Sequence, residues 1–296
     1  MGRNIRVAAV QDTPLLIGSN RQPLADQVAA LVRADPAIEL IVYPELHLFN
    51  TDLEEPTERN QALLQSAIEL TDPLIKWLGD IASSNGIWFC PGSICELADG
   101  KLFNTSLVFN PEGALVSTYR KIFPWRPYEP YTPGGSFEVF DIPGKGPFGM
   151  SICYDAWFPE VTRNLAWMGA ELVLNIVKTT TPDRAQELVL AQANSIVNQT
   201  FTVSVNCAGP TGFGQSIIVD PEGKILAQAP KDGFAVLTVD IDLDEVSRVR
   251  TEGTAGTNRM WSQFDPTDAV LELPVYQGRI NPQTWQPNRA NQSKTN

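Results

Sequence analysis

Short apolar runs, separated by longer stretches with a helical step, account for most of this chain. The runs "IRVAAVQ", "LIVYPE", "IWFCPGSI", "TSLVFN", "LVSTYRK", "FGMSICYD", "LVLNIVK", "FTVSVNCA", "QSIIVD", "KILAQA" and "AVLTVDI" are rich in Val, Ile and Leu and have the length of strands. Between several of them apolar residues recur every three or four positions, most clearly over 22–33, 72–85, 159–169 and 183–198. That period predicts amphipathic helices. Strands interleaved with helices predict an α/β fold built in layers.

An internal echo refines the architecture. "SLVFNPEGALVS" (106–117) and "SIIVDPEGKILA" (216–227) share the order strand, Asn/Asp-Pro-Glu-Gly, strand. Proline presets such a turn and glycine supplies its positive φ, so each stretch predicts a hairpin. Two related hairpins predict two sheets packed face to face with helices outside. No Ser- or Gly-rich linker divides the chain, so one domain is expected over 1–250. Beyond 251 the pattern fades into a segment rich in Pro, Asn and Thr that carries Trp261, Phe264, Tyr276 and Trp285. Aromatic side chains seldom stay in water, so the extension 251–296 is expected to lie on a partner surface.

Composition narrows the partners. With 34 acidic against 22 basic residues in 296, a net charge of -12 and no basic cluster, nucleic acid and anionic membranes are not expected to bind. A small neutral or cationic partner fits better. The four cysteines lie far apart, and the opening apolar run is too short for a signal peptide, so reduced thiols in the cytoplasm are expected. Arg6 stands where a myristoylation signal needs Ser or Thr, and no apolar stretch is long enough to span a bilayer.

Three stretches could carry chemistry. Cys153 ends an apolar run in "FGMSICYDAWFPE", at a strand-to-helix junction where backbone N–H groups would lower a thiol pKa and hold an oxyanion. The competing reading is a buried, inert thiol, which suits Cys90, Cys95 and Cys207. A cysteine nucleophile needs a base. "YPELHLF" offers two, Glu45 and His47, the single histidine of the chain, and position alone does not choose between them. Lys121 follows a strand in "STYRKIFPW" and precedes an aromatic loop; by itself it reads equally well as a surface lysine.

Together "YPEL" with Glu45, "YRKIFPW" with Lys121 and "GMSICYDAWFPE" with Cys153 resemble the ordered Glu-Lys-Cys signature of the nitrilase superfamily of carbon–nitrogen hydrolases. "IRVAAVQDTP", the two Pro-Glu-Gly hairpins and "MGAELVLN" are similar as well, so the resemblance spans about 5–250. "PWRPYEPYTPGG" adds Glu129 with the spacing of the aliphatic amidase and formamidase branch. The resemblance implies a four-layer α-β-β-α sandwich with two mixed sheets. It implies Glu45 as general base, Cys153 as nucleophile, and Lys121 with the Tyr154 N–H around the oxyanion. Glu129 would position the amide nitrogen or the lysine, and Trp125, Lys178 and Thr179 would contact substrate. Hydrolysis of a small amide through a thioester follows, with no metal or organic cofactor, in a homodimer or higher homo-oligomer. A nitrilase, an N-carbamoyl amide hydrolase, a catalytically silent scaffold and a peroxide-sensing thiol are the alternatives. The tail and the residues around Lys178 depart from the amidases of that branch.

Overall fold

In the computed structural model, which describes residues 2–51, 53, 55–274 and the backbone of 278–280, each apolar run contributes a strand. They are β1 (Asn4–Gln11), β2 (Leu40–Val42), β3 (Trp88–Cys90), β4 (Ser93–Ala98), β5 (Lys101–Phe109) and β6 (Leu115–Arg120) in the first half. A strand not anticipated, β7 (Val139–Ile142), is followed by β8 (Gly146–Ile152), β9 (Leu172–Val177), β10 (Phe201–Asn206), β11 (Ile217–Val219), β12 (Ile225–Gln228) and β13 (Ala235–Asp242). They form a seven-stranded sheet, β13-β1-β2-β3-β5-β4 with β6 on β5, and a six-stranded sheet, β12-β11-β10-β9-β8-β7. Both mix parallel and antiparallel pairs. A short ribbon pairs Leu271–Leu273 with Gly278–Ile280.

The helices are α1 (Gln22–Ala34), α2 (Pro56–Gln65), α3 (Pro73–Asn85), α4 (Pro159–Trp167), α5 (Arg184–Asn198) and α6 (Asp244–Glu252). The four expected ones, α1, α3, α4 and α5, end within two residues of the bounds read from the period. Each of α2, α3 and α4 opens on a proline, whose missing N–H is no loss in a first turn. The sequence pattern missed α2 and α6 because each buries so little: Leu63 in α2, Val246 and Val249 in α6.

Side-chain parity sorts the layers. Ile5, Val7 and Ala9 of β1 pack between the sheets with Leu172, Leu174 and Ile176 of β9 and Phe201, Val203 and Val205 of β10. The alternate residues Ala8 and Val10 face the outer layer with Leu24 and Val28 of α1 and Leu74 and Leu78 of α3. On the far side Val161 and Leu165 of α4 cover Val139 and Val173, and Ala191 of α5 covers Ile217 and Val219. The result is the expected α-β-β-α sandwich. The two Pro-Glu-Gly stretches are hairpins, one in each sheet, with Gly113 at φ 84° and Gly223 at φ 85°. Asn110 and Asp220 each accept two backbone N–H bonds within their own turn.

The extension begins as part of the same body. Trp261 is buried, its ring 6.3 Å from that of Trp167 and beneath the Arg163 guanidinium at 4.9 Å. Phe264 is half-buried; Tyr276 and Trp285 lie outside the described residues. Among the described residues no helix is long and apolar enough to cross a membrane.

One close approach fixes the chain around Glu45. Gly92 has φ 92°, and a Cβ there would sit 1.9 Å from the carbonyl oxygen of Pro44. Gly92→Ala therefore combines left-handed strain with a backbone clash. Its unfolding free energy should fall by at least about 1–3 kcal/mol in denaturant titration; an unchanged midpoint would mean that the loop has slack.

Candidate active site

Three strand ends converge. Glu45 lies three residues beyond β2, Lys121 directly follows β6, and Cys153 directly follows β8, so both sheets contribute to one point. Glu45 and Lys121 are buried, with 1% and 0% of their surface exposed. The Lys121 Nζ donates to Glu45 Oε1 at 3.0 Å and to both Glu129 oxygens at 2.9 Å. Burial alone lowers the lysine pKa. The Glu129 and Glu45 carboxylates outweigh it and hold Lys121 well above its ordinary range, so the ammonium stays charged.

Glu45 is oriented by a residue that the sequence pattern did not single out. Asn104, in β5, donates its Nδ2 to Glu45 Oε1 at 2.7 Å, and its carbonyl accepts the Lys121 backbone N–H at 2.9 Å. Its signal was an amide in the middle of an apolar strand. Both donors to Glu45 fall on Oε1; among the described residues no hydrogen bond reaches Oε2, which is left able to take a proton. Glu129 is held by its own turn, where Oε2 accepts the Trp125 N–H at 2.7 Å.

Cys153 adopts φ 47°, the left-handed region, where the chain leaves β8 for the short 3₁₀ turn Cys153–Trp157. A non-glycine residue held there is a common feature of functional turns. Tyr154 is at the start of that turn, where backbone N–H groups have no intrahelical partner. Asp155 locks the turn in place: its carboxylate accepts the Tyr119 hydroxyl (2.7 Å) and the backbone N–H groups of Ile152 (3.0 Å) and Phe123 (2.9 Å). The turn of Cys153 is thereby tied to the loop after Lys121. Burial pushes Asp155 up to about 6, against the charge of Lys121 and these hydrogen bonds. Burial and then the Glu45 charge push the Cys153 thiol well above its usual value, with Lys121 opposing. The resting thiol is therefore protonated and needs a base.

Cys153, Trp125, Glu129, Tyr154, Lys178 and Thr179 line one cavity of about 40 Å³. Glu45 and Lys121 line neither this cavity nor its neighbour; they join its wall through the Lys121–Glu129 pair. The Thr179 hydroxyl is already committed to Glu187 Oε2 at 2.6 Å, and its N–H to Asn206 Oδ1 at 2.9 Å. Glu187, which also pairs with Arg184 at 2.9 Å, lines the cavity too; in the sequence it was indistinguishable from an ordinary helix charge. Trp125, Glu129, Lys178 and Thr180 also wall a second, outer chamber of about 180 Å³, which Tyr131 lines as well. Among the described residues no group of three or more His, Cys, Asp and Glu side chains is arranged to hold a metal ion.

His47 lies apart from this chemistry. It is buried, its ring is 4.8 Å from that of Tyr43, and it lines neither chamber. Burial, reinforced by the charge of Lys178, pushes its pKa down to about 3. Cys90, Cys95 and Cys207 are also buried, and burial pushes their thiols up to about 11, 12 and 12. None of the four cysteines forms a disulfide.

Residues 6–251 match the carbon-nitrogen hydrolase family, and the chain belongs to it. A formamidase from Pseudomonas syringae pv. tomato is 29% identical over 234 residues, covering 77% of this chain and 67% of the relative. A formamidase from Allorhizobium ampelinum is 29% identical over 247 residues, covering 80% of this chain and 70% of its own length. Among solved structures, a Saccharomyces cerevisiae member of branch 10 of the nitrilase superfamily superposes with a TM-score of 0.75 at 25% identity, over 87% of this chain and 97% of its own. The amidase from Nesterenkonia sp. AN1, with acrylamide added at its active-site cysteine, superposes with a TM-score of 0.71 at 25% identity, over 84% of this chain and 97% of its own.

The depressed pKa of His47 has a consequence for stability. The unfolded chain takes up this proton near pH 6.5, whereas the folded chain refuses it until about 3. The stabilisation is therefore complete above about pH 6.5 and is lost as pH falls through that window, at roughly 1.4 kcal/mol per pH unit. His47→Gln should flatten the pH dependence of the unfolding free energy by about that slope between about pH 6 and 4. Identical slopes for the two proteins would show that the imidazole titrates normally.

Proposed function

We propose that this carbon–nitrogen hydrolase cleaves a small amide to a carboxylate and ammonia through a thioester on Cys153. The observation that carries this reading is the Lys121 ammonium bridging Glu45 and Glu129 beneath the cavity that Cys153 lines. The formamidase and amidase relatives support it. Glu45 acts as general base: its free Oε2 takes the thiol proton as sulfur attacks the carbonyl carbon. The oxyanion that forms is held by Lys121, with the Tyr154 N–H as second donor; Lys121 contributes charge and gives up no proton. Glu45 then returns the proton to the amide nitrogen, the C–N bond breaks, and ammonia leaves a thioester.

Water attacks the thioester carbon and Glu45 takes its proton. The second tetrahedral species collapses with cleavage of the C–S bond, and the proton returns to sulfur. Glu129, fixed by the Trp125 N–H and Lys121, positions the amide nitrogen. Trp125, Lys178 and Thr179 wall the substrate. A cavity of about 40 Å³ holds roughly three water-sized groups, which suits the amide head with one or two carbons.

The test is ammonia release from a panel of amides, nitriles and N-carbamoyl amides, with intact mass measured after quenching. Short amides should release ammonia and leave an acyl mass on Cys153 that Cys153→Ala lacks. Glu45→Gln should lower kcat by about 10²–10⁴-fold. A panel that yields neither ammonia nor label would leave a silent binding protein, and turnover of nitriles alone would make the chain a nitrilase.

We also propose that 1–250 forms the hydrolase unit and that the extension 251–296, anchored to its own body at Trp261, continues onto a partner subunit in a homodimer or higher homo-oligomer. Val270 and Leu271 stand 48% and 49% exposed on that extension, which supports a covering surface. Light scattering at micromolar concentration should give at least twice the 32.5 kDa of one chain; a monomer mass would refute it.

A further inference from the structure

Glu187 is a carboxylate that the reaction as described does not use, in the wall of the cavity that Cys153 lines. It stands in the first turn of α5 and is 8% exposed. Its Oε2 accepts the Thr179 hydroxyl at 2.6 Å and the Arg184 Nη1 at 2.9 Å. Arg184 is pinned in turn by the carbonyls of Gly214 at 3.1 Å and Gln215 at 2.9 Å. The side chain is thus fixed from two directions, yet among the described residues no hydrogen bond reaches Oε1. A buried carboxylate oxygen left without a donor is costly, and folded proteins hold few of them.

The other charged groups on that wall are engaged. Both Glu129 oxygens accept from Lys121, and Oε2 also takes the Trp125 N–H. Asp183 accepts the Thr181 hydroxyl and is partly exposed, so water serves its second oxygen. The Lys178 ammonium donates to Asn50 Oδ1 at 2.8 Å and, among the described residues, forms no ion pair with Glu187. Burial and then the Glu45 charge raise the Cys153 pKa, with Lys121 opposing and Glu187 adding to the rise, so Glu187 is felt at the sulfur. In the proposed reaction Lys121 and the Tyr154 N–H hold the carbonyl oxygen, and Glu129 holds the amide nitrogen. The acyl carbon is what remains of a small amide, and Glu187 Oε1 is the acceptor left for its substituent. Behind Glu187 a pocket of about 10 Å³, lined also by Ser151, Asn175 and Thr202, is at the lower limit for one water.

We infer that Glu187 selects the acyl group: its Oε1 accepts a hydrogen bond from an O–H or N–H on the carbon next to the scissile carbonyl, so the preferred substrate is a short α-hydroxy or α-amino amide. The inference deepens the proposed amide hydrolysis and rests on it. Arg184 balances the charge of Glu187, so the site offers the substrate a strong acceptor without an uncompensated charge. A plain alkyl group of the same size would leave Oε1 dry. A site built around a hydrogen bond discriminates against the analogue that lacks it.

Calorimetry on Cys153→Ala tests it without turnover. Glycolamide and glycinamide are compared with propanamide, which matches them in size and lacks the donor. At least one of the two should bind about tenfold tighter than propanamide, and the tighter one names hydroxyl or amine. This comparison needs no change at Glu187, so it stands even where a variant fails to fold. With Glu187→Gln added, the advantage should fall at least about fivefold. Thr179 and Arg184 both donate and so hold the amide oxygen, which turns the NH₂ group toward the ligand in place of an acceptor. In the active enzyme Glu187→Gln should lower the ratio of kcat/KM for the preferred amide to that for propanamide by a similar factor; the ratio cancels any general loss of activity. Equal affinities for all three, as follows if water in the small pocket serves Oε1, would overturn the selection while leaving amide hydrolysis intact. So would an advantage that survives Glu187→Gln. A donor advantage in binding, with no turnover of any of the three by the wild type, would keep the acyl subsite and remove the hydrolysis.

Discussion

A buried ammonium shared by two carboxylates is the interaction on which this structure depends. Lys121 is completely enclosed, and taking one such charge out of water costs several kcal/mol unless opposite charge and hydrogen bonds replace the lost hydration. Glu45 and Glu129 provide both, from loops that follow different strands. Each of the three groups is tolerable only because the other two are present. The same requirement keeps Lys121 charged, while burial, with the Glu45 charge added, holds the Cys153 thiol protonated. A thiol in this setting stays protonated until a base acts on it.

The sandwich makes such a cluster possible. Two sheets packed face to face send the ends of β2, β6 and β8 to one region, and the dry layer between them gives the cluster its low dielectric. Rigid backbone devices complete it. Gly92 admits the chain beside Pro44, Cys153 is held at positive φ, and Asp155 ties the turn of Cys153 to the loop of Lys121. These are the kinds of supports that hold reacting groups within a fraction of an ångström.

Net charge and local electrostatics answer different questions here. The excess of acidic residues disfavours polyanionic partners, an argument about fields far from the surface. Around Lys178 the nearest groups dominate instead: burial lowers its pKa, the Glu45 charge raises it and the Arg59 charge lowers it. Net charge thus describes what approaches the molecule and says little about what a single pocket accepts.

The sequence by itself determined the layers, the helices α1, α3, α4 and α5, and the paired hairpins. All are local consequences of apolar period and turn chemistry, which act over a few residues. It also marked Glu45, Lys121, Glu129 and Cys153 as an ordered set, through resemblance and strand-end position. The choice of Glu45 over His47 illustrates the boundary. Two places apart in one loop, they differ because the chain buries one beside an ammonium and the other beside Tyr43. The resemblance already implied Glu45; only the tertiary structure supplied these two environments, along with Asn104 and Glu187, because proximity between residues distant in sequence is created by packing and leaves no period to read.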